Sequence, residues 1–414
     1  MAPPAERSPA GRPTPAGRPR FECFDSLRAI AALSVLFYHA SYYTSGLRGS
    51  LADYVTQRTA GFPTEGVVIF FAISGFLLYR PFAQARFDGT PGPRIWPYAA
   101  RRLLRIVPAY WLALIVVTIV LGLNGVFTLH GLGTYFGFLQ VYDVRTLDNG
   151  MAQAWTLDVE LSFYIGLVVL ALGLRRVGVR AGRSFLATEL GTLLVLSVGS
   201  ILWQVAWLHW SSDASPRYYP ALISLPSSVD LFAVGMGLAV LSVGLAGRRS
   251  RVVAVIDRAP WLAWVGAAAC WWLLVHAPLL FGGPKTIPGW VIPHELRAAL
   301  ALGLLAPAVF GAPGRGWIRR LLGMRWLRWL GEISYGLYLW HLAVLIELSR
   351  HRVPERFGTA AFLVAALSIS GALAAASWYG LERYAVGLGR RVGRRPARAS
   401  AGPGVATEAE AGVP

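Results

Sequence analysis

The chain has 414 residues, 55% hydrophobic and only 14% charged, with a mean hydropathy of +0.50. This apolar content excludes a disordered chain, and two cysteines, Cys23 and Cys270, exclude a disulfide scaffold. The formal net charge is nevertheless +18, but a nucleic-acid binder would need that charge gathered on a soluble domain, and no stretch of the sequence supplies one.

The remaining class is an all-α, polytopic integral membrane bundle. A spanning helix needs about 20 mainly apolar residues. About ten transmembrane helices are predicted, at roughly 25–44, 65–82, 105–124, 155–174, 185–208, 222–245, 260–281, 296–312, 329–348 and 359–380. The stretch near 132–142 is too short to cross and reads as an interfacial or re-entrant piece. Residues 1–20 and 391–414, rich in Pro, Gly, Ala and Arg, are expected to be disordered cytoplasmic tails flanking one transmembrane domain over 21–390. Residues 20–42 resemble a signal peptide in pattern, but the chemical side chains within them argue against cleavage.

The basic residues test this topology. Lys285 is the single lysine among 39 basic residues. Loop by loop, Arg48, Arg58, Arg145, Arg217, Lys285, Arg297, Arg350, Arg352 and Arg356 fall on one side of the ten spans, and the other thirty on the opposite side with both termini. Such an asymmetry marks the cytoplasmic face. One wrong span in the middle would invert every later loop and destroy the alternation.

Ionisable groups within spans are costly, so each is a candidate for function. Arg28 and His39 are 11 residues apart, three helical turns plus about 20°, so they share a face with an axial rise of about 16 Å. A snorkelling Arg and a hydrogen-bonded core His would fit the same pattern. Ser74-Gly75 lets a second backbone come close, or bares its own backbone to a ligand. Arg102 and Arg105, at i,i+3, form a guanidinium pair suited to phosphate, or else an anchor at the cytoplasmic surface. Trp155 lies at the opposite interface, and Thr156, Glu160 and Tyr164 form one stripe behind it. Asp158 is about 200° round the helix from Glu160, so the two are not an acid pair. Ser334, Tyr338 and His341 share another face. Glu189, Asp230, His276 and Glu332 have no evident partner and read as structural.

Taken in order, several of these pieces resemble the membrane acyltransferase-3 family. They are the Arg28/His39 pattern, FFAISGFLL at 70–78, RRLLRIVPAY at 101–110, WTLDVELSFY at 155–164, ISYGLYLWH at 333–341 and a closing Glu382-Arg383. The resemblance covers roughly 21–390. The chain departs from the family where Leu161 replaces a second Glu after Glu160 and where Tyr384 replaces a Pro. It also resembles the short form without a hydrolase-like extracytoplasmic domain.

The resemblance implies a bacterial cytoplasmic-membrane O-acyltransferase that uses cytoplasmic acyl-CoA, acetyl-CoA first among donors, with no metal. Arg28, Arg102 and Arg105 would then hold the donor's phosphates. His39 would take the proton of an acceptor hydroxyl, since imidazole titrates near neutral pH. A transient acyl-His is the competing route. Glu160 would orient His39 or the acceptor, and Ser74, Trp155, Tyr338 and His341 would contact substrate. The implied acceptor is a cell-surface or lipid-linked glycan, with a macrolide-type or other secondary metabolite as the alternative. Ten spans with buried charge also suit a transporter or flippase, although inverted repeats with interrupted helices are not evident. A non-catalytic scaffold would not need His39 deep in the bilayer. Oligomeric state is left open.

Overall fold

The computed structural model describes residues 21, 23–44, 65–147, 149–177, 183–211, 215–311 and 315–392. The two tails therefore lie outside the described residues, apart from 391–392, which end a helix over Arg383–Val392. Among the described residues the protein is 85% helical with no strand. Ten long helices correspond to the ten predicted spans: α1 (Cys23–Thr44), α2 (Glu65–Phe87), α3 (Ile95–Leu121), α4 (Trp155–Arg175), α5 (Arg183–Trp210), α6 (Leu225–Gly244), α7 (Pro260–Phe281), α8 (Ile287–Val309), α9 (Ser334–Arg350) and α10 (Val353–Ser377). Eight helical segments among the described residues are long and apolar enough to cross a membrane; α1 and α9 do not meet that measure. α1 carries Asp25, Arg28 and His39, and α9 has 17 residues.

Several boundaries differ from expectation for local reasons. The segment expected at 329–348 is broken at Ile333, which separates a short amphipathic helix, Arg325–Glu332, from α9. The span expected from 296 begins at Ile287, because Thr286 caps α8 by accepting from the Gly289 N–H. α3 starts at Ile95, ten residues before its apolar run, and carries its arginines inside the helix. α10 is kinked at Gly358 (φ +82°), so its regular part starts where hydropathy put it. The 132–142 stretch is a short helix, Leu129–Tyr135, followed by a 3-10 turn at Gln140–Tyr142. Tyr110 of α3 donates to Tyr135 O (2.9 Å), and Asp158 of α4 accepts from the Val141 N–H (2.8 Å).

Cross-links between helix ends follow the predicted alternation. Ser26 donates to Leu322 O (2.5 Å), Arg86 to Leu174 O, and Arg319 to Pro307 O (2.8 Å), all at one end of the bundle. Arg350 donates to Leu121 O (3.1 Å) at the other. Glu189, which sequence left unpartnered, is fully buried; it accepts from Arg86 Nε (2.5 Å) and from the Tyr79 hydroxyl. Asp230 likewise accepts from Ser200 (2.9 Å) and lies 2.8 Å from His294 Nε2.

Between apolar helices in lipid, burial of apolar surface gives no net drive, so close packing must hold them together. The tightest crossing joins α2 and α6. A Cβ on Gly75 would strike Phe232 O, and one on Gly235 would strike Ala72 O, so the two backbones touch reciprocally. Phe232 then stacks on Phe71 (4.4 Å between centroids) and on Phe163 of α4 (3.9 Å), binding a third helix to the pair. Gly235→Ala is therefore expected to cost about 1–3 kcal/mol through overpacking. Gly237→Ala, whose Cβ would meet nothing nearer than Leu193 Cδ1 at 4.0 Å, is expected to be close to neutral. Thermal unfolding of the two variants in detergent checks this.

Candidate active site

α1, α2, α3, α4 and α9 surround a cavity of about 80 Å3 that is partly open to solvent. Arg28, Arg102 and Arg105 line it together, bringing the α1 cation beside the α3 pair. Arg28 lies 3.5 Å from Asp25 Oδ1. Arg102 sits over the Tyr98 ring at 6.0 Å, and its buried Nε, like the Tyr98 hydroxyl, has no hydrogen-bond partner among the described residues.

Further along the cavity stand Ser74, Glu160 and Tyr164. Glu160 Oε1 accepts from Ser74 Oγ (2.6 Å) and from the Tyr164 hydroxyl (2.7 Å). The α2–α6 crossing explains this placement, because Gly75 turned towards α6 leaves its neighbour Ser74 facing α4. The stripe expected on α4 is present: Thr156, Glu160 and Tyr164 all line the cavity. Asp158 points elsewhere, to Val141, as its angular offset from Glu160 requires.

Phe70 and Tyr338 (6.0 Å between rings) lie towards the end of the cavity. The Tyr338 hydroxyl donates to Gln153 O (2.7 Å) and sits 2.6 Å from Thr156 Oγ1. His341 follows one turn later on α9, its ring 5.8 Å from that of Tyr338. It is buried, and its Nε2 lies 3.1 Å from His39 Nδ1. Neither histidine lines the cavity; the pair sits next to it, beyond Tyr338.

The site residues read from sequence thus divide. Arg28, Ser74, Arg102, Arg105, Glu160 and Tyr338 share the cavity, and His39 and His341 form the adjoining pair. The carboxylate of Glu160 is bonded to Ser74 and Tyr164, while His39 meets His341. Trp155 faces a second cavity, with Trp290, His294 and Arg297. Sequence reasoning missed the histidine contact and the Ser74–Glu160 bond, which cross 302 and 86 residues of chain. The shared face of Tyr338 and His341 was the available signal for the first, and the serine beside a packing glycine for the second.

A helical bundle of this kind, with eight segments long and apolar enough to cross a membrane, is that of a multi-pass membrane protein. A family model described as an acyltransferase domain matches residues 21–379, and the chain belongs to that acyltransferase-3 family. It is an acyltransferase. It is 26% identical over 347 residues to Nodulation protein 10 of Rhizobium leguminosarum bv. viciae, covering 78% of this chain and 83% of that protein. It is 26% identical over 344 residues to YrhL of Bacillus subtilis (strain 168), covering 78% of this chain and 48% of the relative. It is 23% identical over 341 residues to the peptidoglycan O-acetyltransferase OatA of Listeria monocytogenes serovar 1/2a, covering 78% and 49%. The chain therefore spans about half the length of the last two. No solved structure matches it significantly.

Tyr338→Phe removes the hydroxyl that meets Gln153 O and Thr156. It is expected to lower stability by about 0.5–1.5 kcal/mol, the net worth of one hydrogen bond, because Thr156 Oγ1 still donates to Gln153 O (3.2 Å). Denaturation of the purified protein measures this.

Proposed function

We propose that the protein is a membrane O-acyltransferase that moves an acetyl group from cytoplasmic acetyl-CoA to a hydroxyl of a cell-surface or lipid-linked glycan. The observation that carries this reading is the grouping of three guanidiniums in one cavity whose far end adjoins a histidine pair. The guanidiniums suit the phosphates of the donor, since charge-assisted, bidentate bonds to phosphate are what arginine forms best. Arg102 and Arg105 are free to make them: neither donates a side-chain hydrogen bond to a described residue. The family membership and the likeness to the peptidoglycan O-acetyltransferase OatA support an O-linked acetyl group and a glycan acceptor. The bacterial cytoplasmic membrane is the proposed location, with the arginine-rich ends of the helices on the cytoplasmic side.

In this reading the acceptor hydroxyl gives its proton to His39 as its oxygen attacks the thioester carbonyl carbon. The carbon–sulfur bond breaks, and the thiolate of CoA recovers the proton from His39. No net proton is consumed. Glu160, whose Oε1 is fixed by Ser74 and Tyr164, stands beside the three arginines and offers its other oxygen to a hydroxylated substrate.

Two measurements test the reading separately. Arg102→Ala and Arg105→Ala are each expected to weaken acetyl-CoA binding at least tenfold, from loss of about 1.5–3 kcal/mol of charged hydrogen bonding. Unchanged affinity at low salt would exclude the donor site. His39→Ala is expected to lower acetyl transfer by about 10²–10⁴, the range for general base catalysis, with donor affinity retained. Transfer at near wild-type rate would exclude the base. Mass spectrometry of glycans and secreted metabolites from cells with and without the gene identifies the acceptor.

A further inference from the structure

The hydrogen bonds around the two histidines determine which nitrogen of each carries the proton. His341 Nδ1 lies 2.7 Å from Tyr338 O. A carbonyl only accepts, so Nδ1 of His341 is the protonated nitrogen, and in the neutral ring Nε2 holds a lone pair. That Nε2 is 3.1 Å from His39 Nδ1. His39 Nδ1 also lies 3.0 Å from Val35 O, a second group that can only accept. With two acceptors about it, His39 Nδ1 carries the proton, which Val35 O and His341 Nε2 share. The Nε2 of His39 is then the basic nitrogen, and no described residue bonds to it.

We propose that His341 is a positioning residue that, together with Val35 O, holds and orients His39 as the Nδ1–H tautomer, leaving Nε2 to take the proton of the acceptor hydroxyl. This rests on the reading of His39 as the base. The polarity of the chain runs one way, from His39 Nδ1–H to His341 Nε2 and from His341 Nδ1–H to Tyr338 O. It keeps its sense when His39 gains a proton on Nε2, because Nδ1–H still donates to a neutral His341. The imidazolium is thereby stabilised by a bond that already exists in the resting enzyme, as an orienting carboxylate does in a hydrolytic triad. Here an uncharged ring does it, which suits a site where an added buried carboxylate would be costly. Tyr338 connects this chain to the substrate cavity, since its carbonyl accepts from His341 while its side chain lines the pocket.

The tautomer is read directly by NMR of the protein labelled with ¹⁵N-histidine, in lipid nanodiscs at a pH where both rings are neutral. The expected spectrum has His39, assigned by its loss in His39→Ala, protonated on Nδ1 and bare on Nε2; the opposite tautomer overturns the proposal. The kinetic arm compares His341→Gln with His341→Met. A glutamine amide oxygen can accept from His39 Nδ1–H, whereas a thioether is a poor acceptor. His341→Met is expected to lower kcat at least about tenfold with little change in KM for the donor, as loss of an orienting partner does. His341→Gln is expected to recover part of it, and in a His39→Ala background His341→Met should cost nothing further. Three results overturn the proposal: wild-type kcat in His341→Met, a raised donor KM with kcat intact, or no advantage of Gln over Met in variants that melt alike. If His39→Ala itself keeps full activity, the parent reading fails. If His39→Ala is inactive and His341→Met is not, only the positioning role does.

Discussion

The reciprocal backbone contact of Gly75 and Gly235 is the constraint on which the site depends. In lipid, two helices gain nothing by hiding apolar side chains from each other, so their register is set by where small residues let the backbones meet. Here that meeting point lies one residue from Ser74. Once α2 and α6 are locked, the rotation of α2 about its axis is decided, and with it the direction of Ser74 towards Glu160. Phe232 makes the same contact cooperative by stacking on rings from both α2 and α4. A change of one methyl group at the crossing is therefore a change in the geometry of the carboxylate.

The buried arginines show two ways of keeping a cation among apolar helices. Arg86 is paired: Glu189 and Leu174 O take its protons, and Tyr79 completes the carboxylate. Removing one member of such a pair strands the other, so this cluster is structural in its energetics. Arg102 and Arg105 are held differently. They share their cavity with Arg28 and with Glu160, whose acceptor atom is taken by two hydroxyls. Three like charges converging on one solvent-reaching space make a poor structural element and a good anion site. Among the described residues, a paired carboxylate thus distinguishes Arg86 from Arg102 and Arg105, which line the cavity.

Much of this was legible in the sequence because helices are periodic. Eight of the ten apolar runs coincide with helices long and apolar enough to cross a membrane, and the stripes Thr156/Glu160/Tyr164 and Ser334/Tyr338/His341 follow from 3.6 residues per turn. The same geometry explains why Trp155 lies in a different cavity from Thr156: adjacent residues differ by about 100°. Rotation of one helix against another is not periodic, however. Arg28 and His39 do share a face, but whether that face meets α3, α9 or both depends on packing. The structure sends its lower part to the cavity and its upper part to His341. The break at Ile333 was equally hidden, since apolar residues continue across it and hydropathy cannot distinguish a short interfacial helix from the start of a span.

The axial rise of about 16 Å between Arg28 and His39 sets the scale of the proposed chemistry. A donor whose phosphates sit among the arginines must extend its arm past Ser74 and Glu160 to bring a thioester near Tyr338. There Phe70 and Tyr338 face each other, Val67 and Thr156 also line the cavity, and His341 lies one turn beyond Tyr338. Tyr338 is anchored twice, through its hydroxyl to α4 and the turn before it and through its carbonyl to His341. A ring so tethered cannot swing away freely. Phe70, whose side chain has no polar tether, can move without disturbing the His341 bond to Tyr338 O. The tautomer of the base is then preserved while the substrates are brought to it.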